Sequence, residues 1–263
     1  MRRKLLIFLL FLFWSLSATA TTRVLFVGNS LTYVNNLPAV FAALAGSQGR
    51  QVETGMLVSG GASLQDHLTT GAVAAQLDGG HYATVVMQER GGMLACAPFA
   101  KEFCEHSRIA QHKLVALAHK HGARAFMLGT YQPAFAKRLH DNEQAFARAA
   151  GADAAVQVAT AFAAHFHDAG ELKWTANDGM HPGRDLTLLY AIQLYRAQFG
   201  VWPDPAGFNV AAPGYLPKTH FERSRLAREQ QAKPAGRSVG QFTAAEMRQV
   251  TAIVRNTSAP IAG

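Results

Sequence analysis

After its first twenty residues the chain alternates short apolar runs with longer amphipathic stretches, and this alternation constrains its fold more than any other feature. Apolar runs of roughly four to eight residues between helix-length stretches predict βαβ units and a parallel sheet. Continuous apolar character within a run is typical of parallel strands that are buried on both faces. We therefore expect an α/β fold.

The runs and stretches give a definite order of elements. The predicted strands lie at 23–28, 52–58, 83–87, 124–129 and 154–158, and the predicted helices at 37–45, 64–77 with a break at Gly71, 101–121, 139–150 and 185–199. In open parallel sheets, ligands bind beyond the carboxyl ends of the strands. Those ends lead into Asn29-Ser30, Ser59-Gly60-Gly61, Gln88-Glu89 and Thr130-Tyr131-Gln132, where we expect the site.

The start of the chain is of a different kind. Three basic residues at 2–4 precede an apolar run at 5–14, and the small residues at 18–20 offer a cleavage site. This is the layout of a secretory signal peptide, and the run is about half the roughly 20 residues that a membrane span needs. We expect residues 1–20 to be removed and the mature protein to be exported, to the periplasm or the medium, without a membrane span.

The rest of the chain reads as one domain with an appendage. We expect the domain to cover 21–202 and a C-terminal extension, 203–263, to pack on it. Residues 203–240 are rich in Pro, Gly and charge, which predicts irregular or only partly helical structure. Thr243 and Glu246 form a capping-box pattern before a short final helix that ends near Arg255.

Composition narrows the partners. The chain has 263 residues, of which 49% are hydrophobic and 16% charged, enough for a well-packed domain. The net charge is +8, and +5 without the first twenty residues, but no basic stripe with interleaved aromatics indicates nucleic-acid binding. Cys96 and Cys104 are the only cysteines; an oxidising compartment permits a disulfide between them, which spacing alone leaves open.

Ser30 follows the first strand in Gly28-Asn29-Ser30, where a hydroxyl can face the cleft above the sheet. A serine needs a base to become a nucleophile. On the local sequence alone, a turn or helix cap is the commoner role for Asn29-Ser30. Asp178 and His181 favour the catalytic role. They are three residues apart and can lie on one turn, so the Asp178 carboxylate can accept from His181 Nδ1 and leave Nε2 to face the serine.

An acyl-transfer site also needs donors for the developing oxyanion. The Ser30 N–H is one candidate. The Gly60-Gly61 pair after the second strand can add a backbone N–H, and the Gln88 side chain at the end of the third strand can add an amide.

Four blocks together resemble the SGNH (GDSL-type) hydrolases: 28–32, 60–64, 85–89 and 178–182. The resemblance spans roughly residues 23–200 and implies a flavodoxin-like three-layer α/β/α sandwich and ester hydrolysis on carbohydrate or lipid substrates. The sequence has no glycine-rich phosphate loop of the P-loop or dinucleotide type, and we expect no cofactor. It implies Ser30 as nucleophile, His181 as base and Asp178 as its orienter. Ser30, Gly61 (in preference to Gly60) and Gln88 would form the oxyanion hole.

The chain departs from the family pattern twice. Asn29 replaces the usual Asp before the serine, and Gln88-Glu89-Arg90 stands where the third block has Gly-x-Asn-Asp. Gln88 resembles the residue at this position in some branches of the superfamily, which also have Gln in the third block. The alternatives left open are a non-catalytic glycan- or lipid-binding protein with the same fold, supported by the irregular third block, and an acyltransferase.

Other motifs carry less. The stretch 236–240 matches the G-x-S-x-G nucleophile elbow, but no strand precedes it and no His or Asp follows to complete the order. Pairs of histidines at 119/121 and 165/167 lack the third ligand of a zinc site, so we expect no metal.

Overall fold

The computed structural model describes residues 20–168, 170–217 and 237–257. The predicted signal peptide, apart from Ala20, lies outside the described residues. None of the helices within those ranges combines the length and apolar character needed to cross a membrane.

A five-stranded parallel sheet forms the centre of the molecule. Its strands are β1 (Thr22–Gly28), β2 (Val52–Val58), β3 (Thr84–Gln88), β4 (Arg124–Leu128) and β5 (Ala154–Val156), in the order β2-β1-β3-β4-β5. This is the flavodoxin-like order, and it reverses between β1 and β3. The predicted α/β class with a parallel sheet is confirmed.

Helices cover both faces of this sheet. They are α1 (Ser30–Tyr33), α2 (Leu37–Ser47), α3 (Leu64–Thr69), α4 (Ala72–Gly79), α5 (Lys101–Lys120), α6 (Ala136–Ala150), α7 (Ala159–His165) and α8 (Arg184–Phe199). Gly71, with φ +68°, divides α3 from α4 as predicted.

The strands alternate side chains between two cores. In β1, Val24 and Phe26 face the core shared with α2 and α8, whereas Leu25 and Val27 face the core shared with α3, α4 and α5. A strand buried on both faces needs apolar residues at every position, and for this reason it reads as a continuous apolar run.

The C-terminal extension contains more regular structure than we expected. β6 (Phe208–Gly214) and β7 (Arg237–Phe242) form an antiparallel pair with an irregularity before Pro213, so the prediction of an irregular 203–240 is wrong for these residues. In β6 only Phe208–Ala211 alternate between buried and exposed positions, and the Pro and Gly that follow are typical of turns, so the strand signal in the sequence is short. The pair packs on the α2/α8 core through Phe208 and Phe242.

The final helix, α9 (Ala244–Thr257), begins at the predicted capping box. The Thr243 backbone N–H donates to Glu246 Oε2 at 2.6 Å, and the Glu246 N–H donates to Thr243 Oγ1 at 3.2 Å. Met247, Val250 and Val254 join the same core as α8. Residues of β6, β7 and α9 therefore share a core with α2 and α8.

One question that spacing left open is answered by the structure. Cys96 and Cys104 form a disulfide, with 5.2 Å between their Cα atoms. It closes the loop between β3 and α5 onto the first turn of α5.

Candidate active site

The nucleophile candidate stands at the point where the strand order reverses. α1 begins at Ser30 directly after β1, and its cap residue Asn29 has two roles. Asn29 Oδ1 accepts from the Leu31 N–H at 3.0 Å, and Nδ2 donates to the Ala62 carbonyl at 3.1 Å. The side chain thus fixes the start of α1 and ties it to the loop after β2. The Ser30 N–H, in the first turn, has no acceptor within the helix.

Gly28, the last residue of β1, has no room for a side chain because two neighbouring side chains approach its backbone. A Cβ at this position would lie 2.2 Å from Thr32 Oγ1 and 3.3 Å from Gln88 Cβ. The close approach lets α1 turn back over the strand, which brings Ser30 to the sheet edge, where the residue is 9% exposed.

Asp178 and His181 lie on a narrow loop that returns on itself. Thr175 and Pro182 form an antiparallel bridge, and the Ala176 N–H donates to the His181 carbonyl at 2.9 Å. Gly179 makes the turn with φ +67°, a conformation that favours glycine. Contacts within the loop itself therefore contribute to its shape.

The structure brings Ser30, His181 and Asp178 into one hydrogen-bonded chain. His181 Nε2 lies 2.9 Å from Ser30 Oγ, and His181 Nδ1 lies 2.7 Å from Asp178 Oδ2. The other carboxylate oxygen, Oδ1, accepts from the His181 and Met180 N–H groups, each at 3.0 Å. These backbone hydrogen bonds, with the His181 side chain, lower the pKa of Asp178 to about 2. Asp178 is therefore an anion at neutral pH, able to hold Nδ1–H and direct Nε2 at the serine.

Two contacts that sequence reasoning missed hold this loop in place. The Tyr131 hydroxyl donates to the Met180 carbonyl at 2.7 Å, and Asn35 Nδ2 donates to the Pro182 carbonyl at 2.7 Å. Asn35 adopts φ +60°, which Asn tolerates better than most residues. Tyr131 follows a predicted strand, but its partner is 49 residues away and no local signal in the sequence marks the contact.

Gly61 lies in the turn that follows β2. It has φ +69° in a turn closed by the Ala62 N–H on the Ser59 carbonyl at 3.1 Å, and a Cβ there would meet nothing within 4 Å. Because Asn29 Nδ2 donates to the carbonyl of Ala62, the residue after Gly61, this turn is tied to the start of α1. A Cβ added to the neighbouring Gly60 would lie 3.2 Å from the Tyr33 hydroxyl oxygen.

Gln88 is not brought to the cleft. The residue is 1% exposed, Oε1 accepts from Thr32 Oγ1 at 2.6 Å and Nε2 donates to the Gly129 carbonyl at 3.2 Å. It also hydrogen-bonds the Tyr190 hydroxyl. Alternation along β3 places it on the same face as Val86, beneath α1, so its amide joins α1 to β4 instead of facing a substrate.

Glu89 is a second buried residue whose placement the sequence did not predict. Its carboxylate accepts from the Leu64 N–H at 3.2 Å and the Arg90 N–H at 2.7 Å, and it contacts Ser107. Burial raises the pKa of Glu89 above its ordinary value. The residue connects the loops after β2 and β3, which flank Ser30.

The remaining motifs lie elsewhere. His119 pairs with Asp153 and His165 with Asp168, each at 2.8 Å. Within the described residues, no group of three His, Cys, Asp or Glu side chains is arranged to hold a metal ion. Ser238, the serine of the elbow-like motif, lies in β7 and donates to the Val210 carbonyl at 3.2 Å; Gly236 of that motif lies outside the described residues.

Solved structures share this fold. A DUF4886 family protein from Bacteroides uniformis superposes with a TM-score of 0.56 at 14% identity, covering 91% of this chain and 97% of its own. TesA gives 0.52 at 16% identity, covering 68% of this chain and 99% of its own.

A mutant of Axe2, an acetyl-xylooligosaccharide esterase from Geobacillus, gives 0.52 at 13% identity, covering 69% of this chain and 95% of its own. No family model matches the sequence, and no curated protein matches it. At these identities the comparisons show that this chain shares its fold with the three proteins.

Proposed function

We propose that this chain is a serine esterase of the SGNH type, which hydrolyses carboxylic esters through an acyl-enzyme on Ser30. One observation carries the proposal: Ser30 Oγ, His181 and Asp178 form an unbroken hydrogen-bonded chain at the carboxyl edge of the sheet. A serine held this way has the base and the orienting carboxylate that activation requires.

The reaction proceeds in two halves. Ser30 Oγ attacks the ester carbonyl carbon while His181 Nε2 takes the hydroxyl proton, and the carbonyl π electrons move to the oxygen. Collapse of the tetrahedral intermediate breaks the ester C–O bond, and His181 returns the proton to the departing alcohol. Water, deprotonated by His181, then attacks the acyl-enzyme; the carboxylic acid leaves and Ser30 regains its proton.

The oxyanion hole is proposed from the backbone. The Ser30 N–H is free of the helix, and Gly61 is positioned by the Asn29 to Ala62 hydrogen bond, without a side chain to obstruct its own N–H. The amide of Gln88 is engaged by Gly129 and Tyr190, so Gln88 is not a donor in this proposal. Its role in the proposal is to hold α1, through Thr32, at the height that Ser30 needs.

The finer parts of the proposal concern substrate and location. The resemblance to SGNH hydrolases and the fold shared with an acetyl-xylooligosaccharide esterase support O-acyl groups on carbohydrate as substrates. The basic-apolar-small layout of residues 1–20 supports export to the periplasm or the medium.

The test is removal of the nucleophile. Ser30→Ala should abolish hydrolysis of p-nitrophenyl acetate and labelling by a fluorophosphonate probe, while circular dichroism and thermal unfolding stay close to those of the parent. Ser47→Ala, at the exposed end of α2, is the matched control and should keep both. Hydrolysis that survives in Ser30→Ala would refute the proposal. An unlabelled parent would favour a binding protein of the same fold.

A further inference from the structure

Gln132 presents a side-chain amide next to Gly91 and close to Leu31 of α1, and this amide is not part of the Ser30, His181 and Asp178 triad. Gln132 follows β4 and is the residue after Tyr131. The Tyr131 hydroxyl donates to the Met180 carbonyl in the loop that carries Asp178 and His181 (residues 175–182, the triad loop). Its backbone position is therefore tied to the same loop as His181.

The Gln132 amide lies over two glycines beside the nucleophile helix. A Cβ on Gly91 would stand 2.6 Å from Gln132 Nε2 and 3.3 Å from Leu31 Cδ1, and a Cβ on Gly92 would stand 3.8 Å from Gln132 Oε1. Leu31 is the residue next to Ser30. The absence of side chains at 91 and 92 is what lets the amide reach this position.

One polar atom of this amide lacks a partner within the described part of the chain. Gln132 Oε1 is shielded from solvent yet has no hydrogen-bond partner among the described residues. A buried acceptor without a partner costs about 1–3 kcal/mol, so a ligand that satisfies it gains affinity. An amide offers a donor and an acceptor side by side, which matches a hydroxyl group, itself both donor and acceptor.

We propose that Gln132 contacts the substrate and selects esters whose alcohol portion carries a hydroxyl group near the ester, as a sugar ring does. The inference rests on the proposed esterase function and deepens it. A hydrocarbon alcohol or acyl chain cannot use the amide and would leave Oε1 unsatisfied.

The test compares two acetates that differ only in the alcohol: a mono-O-acetylated methyl glucoside and ethyl acetate. Gln132→Ala should lower kcat/KM for the glucoside about tenfold, the effect of one or two lost neutral hydrogen bonds, and leave ethyl acetate within about twofold. Gln51→Ala is the matched control, since Gln51 is exposed just before β2, at the opposite edge of the sheet.

A second variant displaces the amide without removing it. Gly91 lies outside the positive-φ region, so its backbone accepts alanine, but the new Cβ would occupy the space of Gln132 Nε2. Gly91→Ala should show the same selective loss, and the double variant should lose no more than either single one.

Two results would overturn the inference in a working enzyme: unchanged kcat/KM for both acetates, or an equal fall for both. The first would make Gln132 a packing residue, and the second would place its effect on the acyl group or on the fold. A parent that hydrolyses neither acetate and is not labelled at Ser30 would instead overturn the proposed function, and this inference with it.

Discussion

The imidazole of His181 is oriented by side chains and backbone from several parts of the chain. Asp178 holds Nδ1 directly, at 2.7 Å, from the same loop. Tyr131, at the end of β4, and Asn35, after α1, hold the carbonyls on either side of His181 at 2.7 Å each. Because a general base acts only within hydrogen-bond reach of its proton, small shifts of this loop translate into rate.

Tyr131→Phe should therefore act on catalysis more than on binding. It removes one hydrogen bond, worth about 1 kcal/mol, and lets the loop that carries His181 move. We expect kcat for p-nitrophenyl acetate to fall about three- to tenfold with KM unchanged, measured by steady-state kinetics. Tyr82→Phe, which removes a hydroxyl bonded to Gln76 far from the site, should leave kcat as it is. A fall confined to thermal stability would argue against a positioning role.

At the scale of elements, the triad loop depends on how tightly its two ends meet. The Gly183 N–H donates to the Trp174 carbonyl at 2.8 Å, directly before α8 begins. A Cβ on Gly183 would lie 2.1 Å from the Lys173 carbonyl oxygen and 2.7 Å from Thr175 N, both backbone atoms that cannot turn aside. The loop thus requires glycine here because of close approach.

Gly183→Ala should open the base of the loop. Forcing the two ends of the loop apart is expected to lower the free energy of unfolding by about 1–3 kcal/mol, measured by urea unfolding. It should also abolish most esterase activity, measured by ester hydrolysis. Gly46→Ala is the contrast, since a Cβ on this α2 residue meets nothing within 4 Å; it should be neutral or stabilise by about 0.5–1 kcal/mol. Equal behaviour of the two variants would contradict the packing argument.

At the scale of the whole molecule, one buried acid links folding to pH. Glu143 of α6 is 4% exposed; its Oε1 accepts from the Thr130 N–H at 2.8 Å, and within the described residues Oε2 has no partner. Burial raises the pKa of Glu143 to about 8 from its ordinary 4.5. The native protein therefore keeps a proton that the unfolded chain releases between these two values.

Through Glu143, the free energy of unfolding falls as the pH rises, because the native state binds more protons than the unfolded chain. Below about pH 4.5 both states are protonated and the contribution of Glu143 is fully present; as the pH rises towards 8 it is lost, with a slope of up to about 1.4 kcal/mol per pH unit. Glu143→Gln should remove this slope, so its stability relative to the parent should increase from pH 5 to pH 8 in urea unfolding. Glu105→Gln, exposed on α5, should change nothing; a parent slope retained in Glu143→Gln would exclude the linkage.

The sequence by itself determined the local features. The five strands could be predicted because apolar runs report burial on both faces, a property of each segment alone. Asp178 and His181 could be paired because they are three residues apart on one turn. Gly28-Asn29-Ser30 could be placed at a strand end because the glycine and the helix start are adjacent in sequence.

Only the tertiary structure decided which side chains meet across the sheet. Gln88 could be placed at a strand end, but the alternation of β3 against β1 and α8 directs its amide to Gly129 and away from the cleft. The contact of Tyr131 with Met180 and the pairing of β6 with β7 join residues far apart in the chain. Such contacts depend on strand order and register, which are global properties because every element must find its place before any of these atoms are neighbours.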